Sequence, residues 1–150
     1  MAEIAFHFNV GETAVDKLHY ACRLLRKAVA AGARVMVLAD AQVVAQLDRM
    51  LWTFSPLEFV SHGVMGAPGV TENMLALSPV ILCDESPEYP HQDVMLNLLD
   101  GVPLGFDAFK RVIEIVSLDV NDRQQARERW KRYTELGFTI TRHDIALQGA

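Results

Sequence analysis

The amino-acid sequence predicts a three-layer α/β fold, with a Rossmann-like, mostly parallel sheet covered by helices on both faces. Strand and helix patterns alternate from the start of the chain, which favours parallel strands joined by helical crossovers. Several short, almost continuous apolar runs are typical of strands covered on both sides. The chain has 150 residues, 51% of them hydrophobic, which is enough for one sizeable core. No linker, repeat or low-complexity tract interrupts it, so we expect a single domain over residues 1–150.

The first strand and helix are predicted by their hydrophobic periodicity. Residues 3–10 (EIAFHFNV) alternate and are rich in β-formers, which predicts a strand. Residues 14–31 repeat apolar side chains at three- and four-residue steps, so they predict one buried helix face that ends at Gly32. The side chains of that face are Leu18, Ala21, Cys22, Leu25 and Val29.

The middle of the chain continues the alternation. Residues 34–38 (RVMVL) form an apolar run that predicts a second strand. Asp40 is a plausible N-cap for a second helix over residues 41–51. Further apolar runs predict strands at residues 80–83, 94–98 and 112–116.

The end of the chain predicts a last helix at residues 122–136, ended by Gly137, and a closing strand at residues 138–143. Residues 61–79 contain three glycines and two prolines and are predicted to form an irregular loop.

The sequence offers little that favours catalysis or cofactor chemistry. The turn after the first strand (NVGETAVD) has one glycine and lacks both phosphate-loop patterns. None of the five histidines has metal-ligand spacing, and no serine lies in a nucleophile elbow. Cys22 and Cys83 lie in apolar stretches and predict buried thiols. We therefore expect no catalytic residue, no metal and no cofactor, and a small nucleotide-binding α/β protein is kept as an alternative on fold grounds alone.

Charge and hydropathy limit the possible partners. The net charge of −5 argues against a protein that mainly covers DNA phosphates, because that affinity comes from Lys and Arg. No apolar run approaches the roughly 20 residues that span a bilayer, and the acidic N-terminus does not resemble a signal peptide. A cytoplasmic location without membrane contact is expected.

The last helix combines cations with an aromatic residue. At about 100° per residue, one arc contains Arg123, Arg127, Trp130, Lys131 and Thr134. The opposite arc, expected to face the sheet, contains Ala126, Arg129, Tyr133 and Leu136. The cationic arc is either a solvated face whose arginines pair with Glu128 and its neighbours, or a surface for an acidic peptide with an apolar anchor. A third alternative is that single-stranded nucleic acid stacks on these groups, but one Trp and a net charge of −5 make a weak platform for it.

Residues 47–60 contain too many large apolar side chains for one core-facing stripe. They are Leu51, Trp52, Phe54, Leu57, Phe59 and Val60, and Pro56 lies among them. These side chains either form a protein-binding surface or pack over the sheet edge.

Three segments carry a family resemblance that extends along nearly the whole chain. They are LDRMLWTFSPLEFVSH (47–62), the strands and Val-Pro turn of residues 93–116, and NDRQQARERWKRYTELGF (121–138). The chain resembles the chi subunit of the bacterial DNA polymerase III holoenzyme, and the last segment is the most specific.

The resemblance implies a non-catalytic adaptor of DNA replication without a cofactor or direct contact with nucleic acid. Its implied partners are the psi subunit of the clamp-loader complex and the acidic, Phe-ended C-terminal tail of single-stranded DNA-binding protein. Carried over by position, the tail site comprises Arg127, Trp130, Arg123, Lys131 and Val116. The psi-facing surface comprises Trp52, Phe59, Phe54 and Pro56.

Overall fold

A computed structural model of the chain, which describes residues 2–53, 62–67, 70–71, 78–84 and 89–145, contains a parallel sheet between two layers of helices. In chain order the elements are β1 (Glu3–Phe8), α1 (Ala14–Ala30), β2 (Val35–Leu38), α2 (Ala41–Thr53), β3 (His62–Val64), β4 (Val80–Cys83), β5 (Val94–Asn97), a 3-10 turn (Phe106–Ala108), β6 (Arg111–Ile115), α3 (Val120–Glu135) and β7 (Ile140–Asp144). The predicted fold class is confirmed.

The strands of the described residues lie in the order β3-β4-β2-β5-β6-β1-β7, and every pair is parallel. Strand β1 lies between β6 and β7, so the first strand of the chain pairs with two strands from its last third. Strand β7 lies at one edge of the sheet and β3 at the other.

Two hydrophobic cores, one on each face of the sheet, hold the layers together. One core packs Leu18 and Leu25 of α1 and Leu47 of α2 against the sheet. The other packs Ala126 and Tyr133 of α3 against the opposite face. Helices α1 and α2 therefore cover one face, and α3 covers the other.

Local signals predicted the ends of α1 and the start of α2 correctly. Thr13 and Asp16 form a capping box at the start of α1, and Gly32 follows its end with a φ of 85°. The Asp40 carboxylate accepts a hydrogen bond from the Val43 N–H at 2.9 Å, so it is the predicted N-cap. The apolar face predicted for α1 is buried at Leu18, Ala21, Cys22 and Leu25, with Val29 partly buried beside them.

Two expectations were wrong. Residues 61–79 were predicted to be irregular, but His62–Val64 forms β3, which pairs with β4. Strand β3 has only three residues, with Gly63 at its centre, so its sequence shows no hydrophobic periodicity. It forms because the buried strand β4 offers it a hydrogen-bonding edge. Leu136 was predicted to face the sheet but is 42% exposed, because it caps α3 just before Gly137 turns the chain.

Both cysteines are buried free thiols, as predicted. Burial raises the pKa of Cys22 to about 11 and that of Cys83 to about 12. No helix in the described part of the chain combines the length and apolar character that a bilayer crossing requires.

Candidate functional site

Helix α3 is fixed at its N-terminus by carboxylates. Asp119 is the N-cap and accepts a hydrogen bond from the Asp122 N–H at 3.0 Å. Asp122 accepts from Lys17 Nζ of α1 at 2.9 Å and from the Ser117 N–H at 2.7 Å. Burial disfavours the charged form of Asp122, but Lys17 and Ser117 outweigh it and lower the pKa of this carboxyl. The start of α3 is thereby tied to both α1 and the end of β6.

The middle of α3 is tied to the sheet by a buried polar network. Arg129 Nε donates to Glu114 Oε1 at 2.9 Å, and the Tyr133 hydroxyl donates to Glu114 Oε2 at 2.7 Å. Asn97 Nδ2 of β5 also donates to Glu114 Oε2, at 2.8 Å. Burial raises the pKa of Glu114, while these three donors favour its ionised form. The network fixes the rotation of α3 about its axis.

With that rotation fixed, α3 forms one wall of a groove that we call the arginine groove. It encloses about 430 Å³ and is lined by Phe8, Asn9, Val116, Arg123, Ala126, Arg127, Trp130 and Arg142. Val116 and Ala126 are almost fully buried and provide apolar atoms, as do the rings of Phe8 and Trp130. Three guanidinium groups surround that apolar surface. The arrangement suits an apolar side chain flanked by carboxylates.

The three arginines of the groove have no carboxylate partner among the described residues. Arg127 donates only to the Gln124 side chain, at 3.5 Å, and no salt bridge involves Arg123 or Arg142 within the described ranges. Other arginines are neutralised, as in the buried Arg129–Glu114 pair and the exposed Arg34–Asp93 pair. The interpretation that the helix arginines pair with Glu128 is therefore not supported by the described ion pairs.

Trp130 lies at the boundary between the helix surface and the core. Its ring centroid is 5.1 Å from that of Phe6 and 5.9 Å from that of Phe8. The indole is partly buried and forms one side of the groove. It is therefore held in place before any ligand arrives, which lowers the entropic cost of binding.

Four of the five residues predicted for the tail site line this groove: Val116, Arg123, Arg127 and Trp130. Lys131 is exposed on α3 and lies outside the groove lining. Sequence reasoning missed four residues of the lining, which are Phe8 and Asn9 at the end of β1, Ala126 of α3 and Arg142 in the middle of β7. Asn9 has a φ of 61°, and its amide donates to Asp144 at 2.9 Å, so it links those two strand ends.

The second predicted surface contains one described residue. Trp52 lies near the end of α2 and is 62% exposed, which is unusual for an indole. Its ring meets that of His62 edge-on at 5.6 Å, and His62 Nε2 lies 2.7 Å from Asp48 Oδ1. His62 is thus a hydrogen-bonded histidine that supports one side of the Trp52 ring. The other residues predicted for this surface, Phe54, Pro56 and Phe59, lie outside the described residues.

The arginine groove and Trp52 are on opposite sides of the molecule. The groove lies on the α3 face beside β1 and β7, at one edge of the sheet. Trp52 belongs to α2, which covers the other face and contacts β3 and β4 near the other edge. A ligand in the groove leaves Trp52 accessible.

The carboxyl ends of the strands, where nucleotides bind in folds of this class, form an acidic crevice of about 480 Å³. Its lining includes Glu12, Asp40, Asp100, Asp119 and Asp122. Carboxylates already cap the N-termini of α1, α2 and α3, at Asp16, Asp40 and Asp119 respectively. A phosphate there would meet like charge in place of free N–H groups, so the geometry disfavours the nucleotide-binding alternative.

Comparison with known proteins gives one consistent family. The family model described as "DNA polymerase III chi subunit, HolC" matches residues 1–141. The DNA polymerase III subunit chi of Pseudomonas aeruginosa is 30% identical over 97% of this chain and 98% of its own. The Escherichia coli protein of the same name is 26% identical over 93% of this chain and 96% of its own.

One chain in a solved structure described as Saccharomyces cerevisiae dbp5 bound to nup159, gle1, IP6 and ADP also resembles the fold, with a TM-score of 0.59. It is 11% identical, and the match covers 95% of this chain and 41% of that one. At that identity the likeness shows the fold alone.

Proposed function

The chain belongs to the DNA polymerase III chi subunit family, whose members are accessory components of a replicative polymerase, and from that membership we propose that it is a non-catalytic adaptor. In this proposal the chain links the psi subunit of the clamp-loader complex to the C-terminal tail of single-stranded DNA-binding protein. It would act in the cytoplasm, where bacterial DNA replication takes place.

The observation that carries the proposal is the arginine groove. Three guanidinium groups without carboxylate partners among the described residues surround an apolar surface that Phe8, Val116, Ala126 and Trp130 line. An acidic tail that ends in Phe complements both features, since carboxylates pair with guanidinium groups and the ring fills the apolar space.

The psi-facing role is supported by Trp52. A 62% exposed indole on a helix is typical of an anchor that a partner protein covers. Its position on the face opposite the groove allows two partners to bind at once, which an adaptor requires.

Peptide binding tests the tail site. A fluorescein-labelled peptide with several acidic residues and a terminal Phe should bind at roughly micromolar affinity, about −8 kcal/mol. Arg127→Ala should weaken binding by about 1–3 kcal/mol, because a charged hydrogen-bonding partner is lost. Arg132→Ala is the matched control, as Arg132 is exposed on α3 but outside the groove. Equal affinities of both variants, or unchanged binding after deletion of the terminal Phe, would reject the site.

Coexpression with the psi subunit from the same genome tests the second surface. The two chains should copurify at equal stoichiometry, and Trp52→Ala should abolish this because the anchor is removed. Gln42→Ala is the control, since Gln42 is exposed at the other end of α2. Retained copurification of the Trp52 variant would exclude Trp52 as an anchor.

A further inference from the structure

Arg142 provides a cation on the groove wall opposite α3. It lies on the edge strand β7, in register with Phe6 of β1, so it projects from the same face of the sheet as Phe6. Phe6 packs under α3, and Arg142 therefore lies on the side of the sheet that the groove occupies. The residues carried over from the family resemblance do not include it.

The guanidinium group of Arg142 is held in position by the aromatic ring of Phe8. Its central carbon lies 4.5 Å from the centroid of the Phe8 ring, a cation–π contact. The Phe8 ring stacks on Phe6 at 5.6 Å and contacts Trp130 at 5.9 Å. The cation thus continues a packed aromatic cluster and is preorganised, unlike a long side chain that is free in solvent.

The groove consequently has positive charge on two walls. Arg123 and Arg127 lie one turn apart on α3, and Arg142 faces them from β7 across the apolar surface. A ligand with carboxylates on only one side of its apolar anchor would pair with the arginines of one wall and leave those of the other wall without a partner from the ligand. A peptide that ends in an apolar residue has its terminal carboxylate on one side of the anchor and its acidic side chains on the other.

We infer that Arg142 is a specificity-determining residue of the arginine groove, pairing with one of these two sets of carboxylates while the α3 arginines pair with the other. The inference rests on the proposed tail binding and adds to it a charged contact from the edge strand β7, on the wall opposite the α3 arginines.

Double-mutant cycles, in which a charge is removed from the protein, the peptide or both, test this inference by fluorescence anisotropy. The proteins are the wild type, Arg142→Gln, Arg142→Lys, Phe8→Leu, Arg127→Gln and the control Arg132→Gln. Each is titrated with the labelled acidic peptide ending in Phe, with its C-terminally amidated form, and with a form whose Asp residues are replaced by Asn.

Arg142→Gln should weaken binding of the parent peptide by roughly tenfold, a loss typical of a removed charged hydrogen bond. Arg142→Lys should recover part of the lost affinity, since the positive charge is restored. Phe8→Leu should weaken binding by less than tenfold, because the charge of Arg142 stays but the ring that positions it is removed. The Arg142→Gln penalty should largely disappear with either the amidated or the Asn peptide, which identifies the carboxylate that Arg142 contacts.

The outcomes separate this inference from the proposed function. If the wild type does not bind, or Arg127→Gln has no effect, the proposed tail site is wrong. If Arg127→Gln weakens binding and Arg142→Gln does not, only the role of Arg142 is rejected. An equal loss of affinity on Arg142→Gln for all three peptides also overturns the role of Arg142. A groove that binds single-stranded oligo(dT) more tightly than the peptide overturns it as well. Unchanged thermal unfolding of Arg142→Gln would separate a binding role from a structural one.

Discussion

Arg129 of α3 and Glu114 of β6 form an ion pair of 2.9 Å whose side chains are 3% and 0% exposed. Breaking a buried pair leaves an uncompensated charge, whereas replacing both members with apolar residues often costs little. We predict that Glu114→Gln lowers the free energy of unfolding by about 3–5 kcal/mol, as measured by urea denaturation. The double variant Glu114→Gln/Arg129→Met removes both charges but keeps an acceptor for Tyr133 and Asn97, so it should lose less than Glu114→Gln. A larger loss in the double variant would show that the pair itself stabilises the fold.

Gly11 lies in the turn between β1 and α1 with a φ of 65°, and a Cβ there would lie 2.2 Å from Asp16 Cβ. Gly11→Ala should destabilise the protein by about 2–4 kcal/mol, since it combines left-handed backbone strain with displacement of the capping-box residue. Gly32→Ala is the control, because its φ of 85° is similar and no atom lies within 4 Å. It should cost about 1 kcal/mol. Similar thermal unfolding shifts in the two variants would contradict a steric role for Asp16.

His7 gives the stability a pH dependence. Burial, with the nearby His143 and Arg111, lowers the pKa of His7 to about 4. His7 is protonated near pH 6.5 in the unfolded chain but only near pH 4 in the folded chain. The free energy of unfolding should therefore fall as the pH drops from about 6.5 to about 4. Burial also lowers the pKa of His91, which adds in the same direction.

His7→Gln should reduce this pH dependence in urea unfolding without abolishing it, because the contribution of His91 remains. Gln42→Ala, which removes no titratable group from the surface of α2, is the control. The lowered pKa values of Asp16, Asp93 and Asp122 act mainly below their ordinary value of 3.8, and the raised pKa of Glu114 acts in the opposite direction to the histidines. Both contributions are present in the wild type and in His7→Gln, so they cancel in the comparison of the two. An unaltered slope between pH 4 and 6.5 in His7→Gln would refute the assignment.

Trp130 can report on the groove, because Trp52 is the only other tryptophan. In a Trp52→Phe variant, the acidic peptide should shift Trp130 emission to shorter wavelength, as the partly buried indole becomes covered. Raising NaCl from about 0.05 to 0.5 M should weaken binding severalfold, since exposed charges are screened within a few ångströms at high salt. An affinity independent of salt would exclude pairing with the groove arginines.

The sequence predicted those features that depend on residues close together in the chain. The buried stripe of α1 follows a three- and four-residue repeat, and the cap at Asp40 requires only the nearby Val43 N–H. The helix-borne part of the groove, Arg123, Arg127 and Trp130, follows from the same periodicity. The binding roles of these residues stay predictions.

The rest depends on pairing between distant segments. Strand β3 is too short to show a pattern and is defined by its partner β4. Arg142 reaches the groove only because β7 pairs with β1, which places the guanidinium over Phe8. Residues 138–143 were predicted to be a strand, but nothing local in that segment identifies its neighbour.

The pairing of β1 with β6 and β7 has a consequence for synthesis on the ribosome. Asn9, which lines the groove, and Asp144, 135 positions further along the chain, are hydrogen-bonded to each other. Phe8 leaves the ribosome early, but Arg142 of β7 can cover its ring only after the segment around residue 144 has left the exit tunnel. A nascent or prematurely terminated chain therefore displays the helix arginines without the opposing wall. Tight engagement of the acidic ligand would then be confined to chains whose translation has passed that point.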